Sequence, residues 1–220
     1  MQMDASVTRT RLARADRMEQ TLLAAHALFA ERGYAAVKMD EIAASVGVTK
    51  PLLYNYFGNK EQLYITCMER AGDSLTATVA EAVGATASPG EALGAGVRAF
   101  FAFLDSDRAA WAVLFDETLP RGGEVAERVA DYRRMIVELV SGSMLAQLPQ
   151  QKRDAARVEI EALSTALLGA AEALARWWLR TEALSAEAAA ELLIATIEPG
   201  LRGRSQSPAS QSPQGGTTPQ

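Results

Sequence analysis

Apolar residues along this chain recur at helical spacing, and no run alternates long enough to mark a strand. Met18, Leu22, Ala25 and Phe29 form a first stripe, which Gly33 closes. Ile42, Ala43 and Val46 form a short second one, and Gly47 stops it where a backbone with positive φ is wanted. Thr49 follows, placed so that its hydroxyl can cap a third helix opened by Lys50, with Pro51 in the first turn, where its missing N–H costs nothing. Leu53, Tyr56 and Phe57 share one side of that helix and can pack on Ile42 and Val46. Asn59 can cap a longer fourth helix, whose stripe runs through Leu63, Tyr64, Cys67, Met68, Leu75 and Val79 to about Val83. Ala85 to Gly90 reads as a loop, and Ser88 with Pro89 starts the next helix, with Val97, Phe100, Phe101 and Leu104 on its apolar side. A break at Asp105 to Asp107 precedes a helix from Ala109 to Thr118, and the pattern from Glu124 to Leu148 predicts another, ended by Pro149. Two last helices are expected near Asp154 to Thr181 and Ala186 to Leu201, with Pro199 and Gly200 ending order soon afterwards. The fold class is all-α.

The third helix carries the candidate chemistry. Lys50, Pro51, Leu52, Tyr54 and Asn55 must face away from its packed side, and this mixture of apolar, aromatic and amide groups is odd for a surface that meets only water. It suits DNA. Pro51 and Leu52 can touch a thymine methyl, Asn55 can offer paired amide contacts to an adenine edge, and Lys50 can reach a guanine or a phosphate. Tyr54 and Tyr56 have hydroxyls long enough for phosphates. The free N–H groups at the start of the fourth helix make a phosphate seat, to which Lys60 adds charge. The bland alternative is a pair of ordinary packed helices joined at a glycine.

The segment from about Met18 to Leu63, above all DEIAASVGVTKPLLYNYFGNKEQL, closely resembles the DNA-binding domain of TetR-type (tetracycline-repressor-like) regulators. That family's pattern is an Ile-Ala helix, a Gly turn, Tyr-x-Tyr-Phe and a Lys-Glu-x-Leu start to the fourth helix. The resemblance implies that Thr49, Lys50, Pro51, Tyr54, Asn55, Tyr56 and Lys60 line the groove or hold phosphates. Two positions depart from the pattern. Lys38 stands where the family usually has a capping Ser or Thr, so Glu41 is expected to lose its capping-box partner and Lys38 to serve as a phosphate contact instead. Pro51 replaces the common Gly and stiffens the start of the helix.

The net charge of −5 looks wrong for a nucleic-acid binder until it is divided. Eight Lys/Arg stand against seven Asp/Glu through Ile65, so the remainder carries about −6. Phosphate attraction must then come from placement, not bulk charge. Arg9, Arg11, Arg14 and Arg17 lead into a region expected to turn helical near Ala15, and residues 1–14 read as a flexible basic arm or simply a solvated terminus. The expected organisation continues with a helix-turn-helix domain over 15–62, a helical effector-binding and dimerisation domain over 63–203, and a disordered Ser/Gln/Pro/Gly/Thr-rich tail over 204–220. One cysteine, Cys67, excludes an internal disulfide, and the single histidine, His26, lacks ligand partners at metal spacing, so no metal and no cofactor is expected. No signal peptide or long apolar span appears, which makes the expected protein soluble and cytoplasmic.

The helices after Pro89 can enclose a cavity or form a plain core. Read as a cavity for a small apolar or amphipathic effector, its candidate residues are Phe100, Phe103, Trp111, Phe115, Tyr132, Met135, Trp177 and the acid Glu172, while Asp116 and Glu172 are otherwise solvated or salt-bridged. The last two helices have apolar arcs wide enough for two partners, and Gly169, Ala170 and Ala173 permit close approach of a second chain. The resemblance implies the same four-helix dimer interface and a lever role for the fourth helix. The expected function is a homodimeric DNA-binding regulator, a repressor released from a palindromic operator by its ligand. An all-α carrier or enzyme with merely structural front helices is the competing class, and no catalytic set supports it.

Overall fold

The structure is a computed structural model that describes residues 4–86, 89–119 and 122–206. Every described regular element is a helix: α1 (Asp4–Ala36), α2 (Met39–Ser45), α3 (Lys50–Phe57), α4 (Lys60–Gly84), α5 (Pro89–Ser106), α6 (Arg108–Leu114), α7 (Glu124–Ala146), α8 (Gln150–Thr181) and α9 (Ala186–Gln206). The sequence periodicity places most of these within a few residues. Three boundaries differ. The backbone of α1 is helical from Asp4, well before Ala15. The helix expected to reach Thr118 ends at Leu114, because Phe115 leaves helical geometry and Asp116 turns its carboxylate onto the Thr118 N–H. Pro199 lies inside α9, which continues to Gln206. The tail expected over 204–220 is therefore helical at its first residues, and from residue 207 onward it falls outside the described part.

Helices α1 to α3 pack around Phe29, Ile42 and Leu53, all fully buried. The Schellman arrangement at the end of α2 makes the tight turn: Val48 N–H donates to Ala43 O at 3.0 Å and Gly47 N–H to Ala44 O at 3.3 Å, with Gly47 at φ 66°. Helix α4 belongs to both halves. Its first turns hold Leu63 and Tyr64 in the head's core, and further along Met68 and Leu75 pack among α5 to α7. Tyr64 joins the layers directly, since its ring packs edge-on to Phe29 and Tyr34 while its hydroxyl donates to Val113 O at 2.6 Å. Cys67 is buried beside them, as expected.

Candidate nucleic-acid interface and effector cavity

Sequence dictates the outward face of α3 through its inward one. Leu53 and Phe57 are buried, so the positions around them turn outward, and Thr49, Lys50, Pro51, Tyr54 and Asn55 are all exposed, with Leu52 half-buried. Among the described residues nothing covers this surface, and Lys38 lies exposed at the start of α2. Thr49 is the residue before α3, but its hydroxyl makes no capping bond, contrary to expectation; its carbonyl takes the Leu53 N–H at 3.1 Å. Lys50 is 2.8 Å from Asp40, an exposed pair of the sort that contributes little in water and that a phosphate or guanine can replace. Asp40 nonetheless holds the Lys50 ammonium above its ordinary pKa.

Glu41 corrects the expectation about Lys38. A capping box needs a side-chain acceptor at the N-cap for only one of its two bonds, and the other survives: the Lys38 backbone N–H donates to Glu41 at 2.8 Å. That bond, followed by the Arg32 guanidinium 3.1 Å away, holds the Glu41 carboxyl below the usual range. Tyr56 is half-buried, with Arg14 5.4 Å above its ring, a contact that sequence reasoning missed because the two positions lie in different helices. Asn59 caps α4 as expected, accepting the Gln62 N–H at 2.8 Å. Lys60 has a second engagement besides any phosphate: its ammonium sits 4.4 Å over the Tyr34 ring and donates to Ala35 O at 3.4 Å, and burial there lowers its pKa.

The end of α1 is where the head meets the rest of the molecule. Tyr34 N–H donates to Asp116 Oδ2 at 2.5 Å and Ala35 N–H to Thr118 Oγ1 at 3.3 Å. Gly33 makes this approach possible: its φ is 75°, and a Cβ on it would stand 3.0 Å from Thr118 Oγ1. Asp116, singled out as a possible ligand acid, thus works as a backbone clamp.

Between α4, α5, α7 and α8 lies a cavity that is partly open to solvent. Leu75, Val79, Val83, Val97, Leu139 and Leu167 give it an apolar wall. Of the residues expected to line it, Phe100 and Phe115 do. Tyr132 lines a smaller neighbouring space, bonded through its hydroxyl to Glu69 O and Asp73. The others do not line the larger cavity. Phe103 is buried elsewhere in the core, Trp111 stacks behind Phe115 at 3.9 Å, and Met135 and Trp177 are exposed at 45% and 40%. Glu172 is buried but already engaged, since Arg133 donates to both its oxygens at 3.0 and 2.9 Å. A helical stripe identifies which residues point inward but not which inward residues border empty space. Thr76 was missed: it lines the cavity with a buried hydroxyl that has no hydrogen-bond partner among the described residues. Among the described residues no helix is long and apolar enough to cross a membrane.

The family model for bacterial regulatory proteins of the tetR family matches residues 22–67, and that for a tetracyclin repressor-like C-terminal domain matches residues 89–198. The chain is 39% identical over 119 residues to the HTH-type transcriptional activator FasR of Mycolicibacterium smegmatis, covering 54% of each protein. It is 33% identical over 117 residues to the HTH-type transcriptional regulator BetI of Rhizobium meliloti, covering 52% of this chain and 54% of that one. These alignments span about half the length of the curated relatives. A crystal structure of a TetR-like transcriptional regulator from Rhodococcus sp. RHA1 superposes with a TM-score of 0.70 and 31% identity, over 85% of this chain and 96% of that one. AibR, solved in complex with isovaleryl coenzyme A and operator DNA, shares the fold with a TM-score of 0.61 at 24% identity, over 81% and 97%.

Proposed function

This chain belongs to the tetR family of bacterial regulatory proteins and is a DNA-binding transcription regulator, and on that premise we propose that it works as a homodimer released from a near-palindromic operator when a small apolar or amphipathic molecule fills its cavity. The observation that carries the reading is the contrast within α3: Leu53 is fully buried while Pro51, Tyr54 and Asn55 beside it are exposed. Lys38, Thr49, Lys50, Pro51, Leu52, Tyr54, Asn55, Tyr56 and Lys60 form the DNA-facing set. Asn55 and Lys50 read base edges, Pro51 and Leu52 meet methyl groups, and the tyrosines and remaining lysines position the backbone. The organisation into a basic arm over 1–14, a head over 15–62 and an effector and dimer domain over 63–203 belongs to the same proposal.

The exposed apolar side chains Val158 and Trp177 on α8 and Leu192 on α9 support pairing through those helices, and Gly169 has nothing within 4 Å of where a Cβ would lie. Two-fold symmetry then sets the half-sites about one helical turn apart. The cavity's nearly continuous apolar wall, with the unpartnered Thr76 hydroxyl in it, suits an amphipathic molecule. AibR's complex with isovaleryl coenzyme A, and the name FadR, a fatty acid degradation regulator from Bacillus halodurans sharing the fold, favour an acyl effector. A second reading, activation, has a specific support in FasR, which is an activator; the direction depends on where the operator lies relative to a promoter.

Selection of bound DNA from a random pool at fixed salt tests the function. A two-fold symmetric site whose affinity falls steeply with salt is expected. Recovery of no preferred sequence would overturn the proposal.

A further inference from the structure

The larger cavity and a much smaller one beside it share Leu75, Thr76, Phe115 and Ile136 as common wall. On α4 the residues that border them, from Met68 and Gly72 in the smaller to Val79 and Val83 in the larger, fall on one stripe. Met68 to Val83 spans about 22 Å at the helical rise of about 1.5 Å per residue. Helix α7 repeats the order, with Val129 at the smaller cavity and Met144 at the larger. The two spaces therefore lie end to end, the smaller one nearer the DNA-binding head. Along the larger one the wall is mostly aliphatic, with Thr76, Ser143 and Gln147 its polar members and Phe100 and Phe115 its only rings among the described residues.

We propose that these are successive compartments of one channel for an unbranched aliphatic chain, parted by the Phe115 ring, and that only a chain long enough to displace this ring acts on the head. The inference rests on the reading of the cavity as the effector site and adds the shape and length of what it answers to. A chain confined to the larger compartment touches Phe115 without moving it. A longer one must push the ring aside, and that ring does not move alone. Trp111 stacks on it at 3.9 Å, and the Arg133 guanidinium lies 6.0 Å from it while bound to Glu172. The next residue is Asp116, whose two oxygens hold Tyr34 N–H at 2.5 Å and Thr118 N–H at 2.7 Å. A short hydrogen bond tolerates little displacement. Turning the Phe115–Asp116 peptide therefore releases the end of α1, and with it the Tyr34 ring and Ala35 carbonyl on which Lys60 sits. Phe115 and Asp116 are positioning residues in this scheme: one senses chain length, the other passes it on.

The test uses the full chain and needs no DNA. Hexanoate, decanoate and palmitate are titrated by calorimetry, and amide hydrogen exchange is followed across Tyr34 and Ala35 with each. Palmitate is expected to raise exchange there by up to about tenfold, the factor one net hydrogen bond is worth, while a bound hexanoate leaves it unchanged. In Phe115→Ala palmitate still binds but no longer raises exchange; Phe115→Leu, which keeps an apolar side chain, serves if the alanine variant is unstable. Equal exchange with short and long chains, palmitate binding without any response, or no binding by any chain would each overturn the inference. Because neither readout involves an operator, such a failure alongside a successful DNA selection removes the channel and leaves the regulator standing.

Discussion

The backbone N–H of Tyr34 donates to Asp116 Oδ2 across 82 positions of sequence, joining the last turn of α1 to the segment that follows α6. Other polar ties between the head and the helices behind it include the Ala35–Thr118 bond, the Tyr64 hydroxyl on Val113 O, Gln62 on Glu124 and the Arg70–Glu19 ion pair. Asp116→Ala removes the acceptor and leaves a part-buried donor unpaired, at a cost of about 1–2 kcal/mol. Urea unfolding should show that loss, while Asp116→Asn, which keeps one carbonyl oxygen, should lose less. Equal stability of Asp116→Ala and the parent would mean that the bond holds nothing.

Gly33→Ala should be worse than Gly47→Ala although both glycines have positive φ. At Gly47 a new Cβ meets nothing within 4 Å, so only the backbone cost of about 1–2 kcal/mol applies. At Gly33 the Cβ would meet the Thr118 side chain at 3.0 Å, so strain of about 1–3 kcal/mol is joined by displacement of the clamp. Thermal denaturation of the two variants side by side decides it.

Adjacent residues of α3 should separate stability from recognition. Leu53→Ala opens the head's core and is expected to cost about 2–5 kcal/mol. Tyr54, 41% exposed, should change stability by no more than about 0.5 kcal/mol when replaced by alanine, yet weaken operator binding. Asn55→Ala should relax one base position, worth about 1–3 kcal/mol in a binding-site selection. Undiminished DNA affinity in Tyr54→Ala would remove that residue from the interface.

Alkali should destabilise the fold once the pH passes the ordinary thiol range. Burial pushes the Cys67 thiol from its ordinary 9.0 up to about 12, and burial raises the Tyr64 phenol as well. A folded pKa above the unfolded one means that the stabilising contribution is complete below pH 9 and is lost as pH climbs towards 12. Urea midpoints measured from neutral pH upward should fall across that window, and less steeply in Cys67→Ala. Native Cys67 should also resist thiol reagents near neutral pH.

A charge placed on the α8–α9 face tests the proposed pairing. Val158 is 78% exposed and Leu192 51%, so Val158→Asp with Leu192→Asp should leave the monomer fold intact. Light scattering is expected to show a dimer for the parent chain and a monomer for the double variant; a parent chain already monomeric would refute the interface.

Much of this was legible beforehand, and the reason differs from place to place. The helices could be read because apolar spacing, Pro89, Pro149 and the Asn59 cap act within one or two turns. The outward set on α3 could be read because burying Leu53 and Phe57 leaves its neighbours no other direction. Thr49 misled because a residue suited to capping need not turn its hydroxyl inward. Lys38 misled because the surviving half of the capping box uses its backbone, which every residue has. The aromatic residues of the second half could not be sorted at all: Phe100 borders the cavity and Phe103 does not, though both are buried.

Short-range chemistry, carried by residues a few positions apart, decided alone that this chain is helical and that α3 turns Lys50, Pro51, Tyr54 and Asn55 outward. Whether an inward side chain meets a neighbour or a void depends on how distant helices cross, and no local pattern encodes that. Tertiary packing therefore decided where the cavity lies, that Glu172 is taken by Arg133, and that Asp116 grips the end of α1.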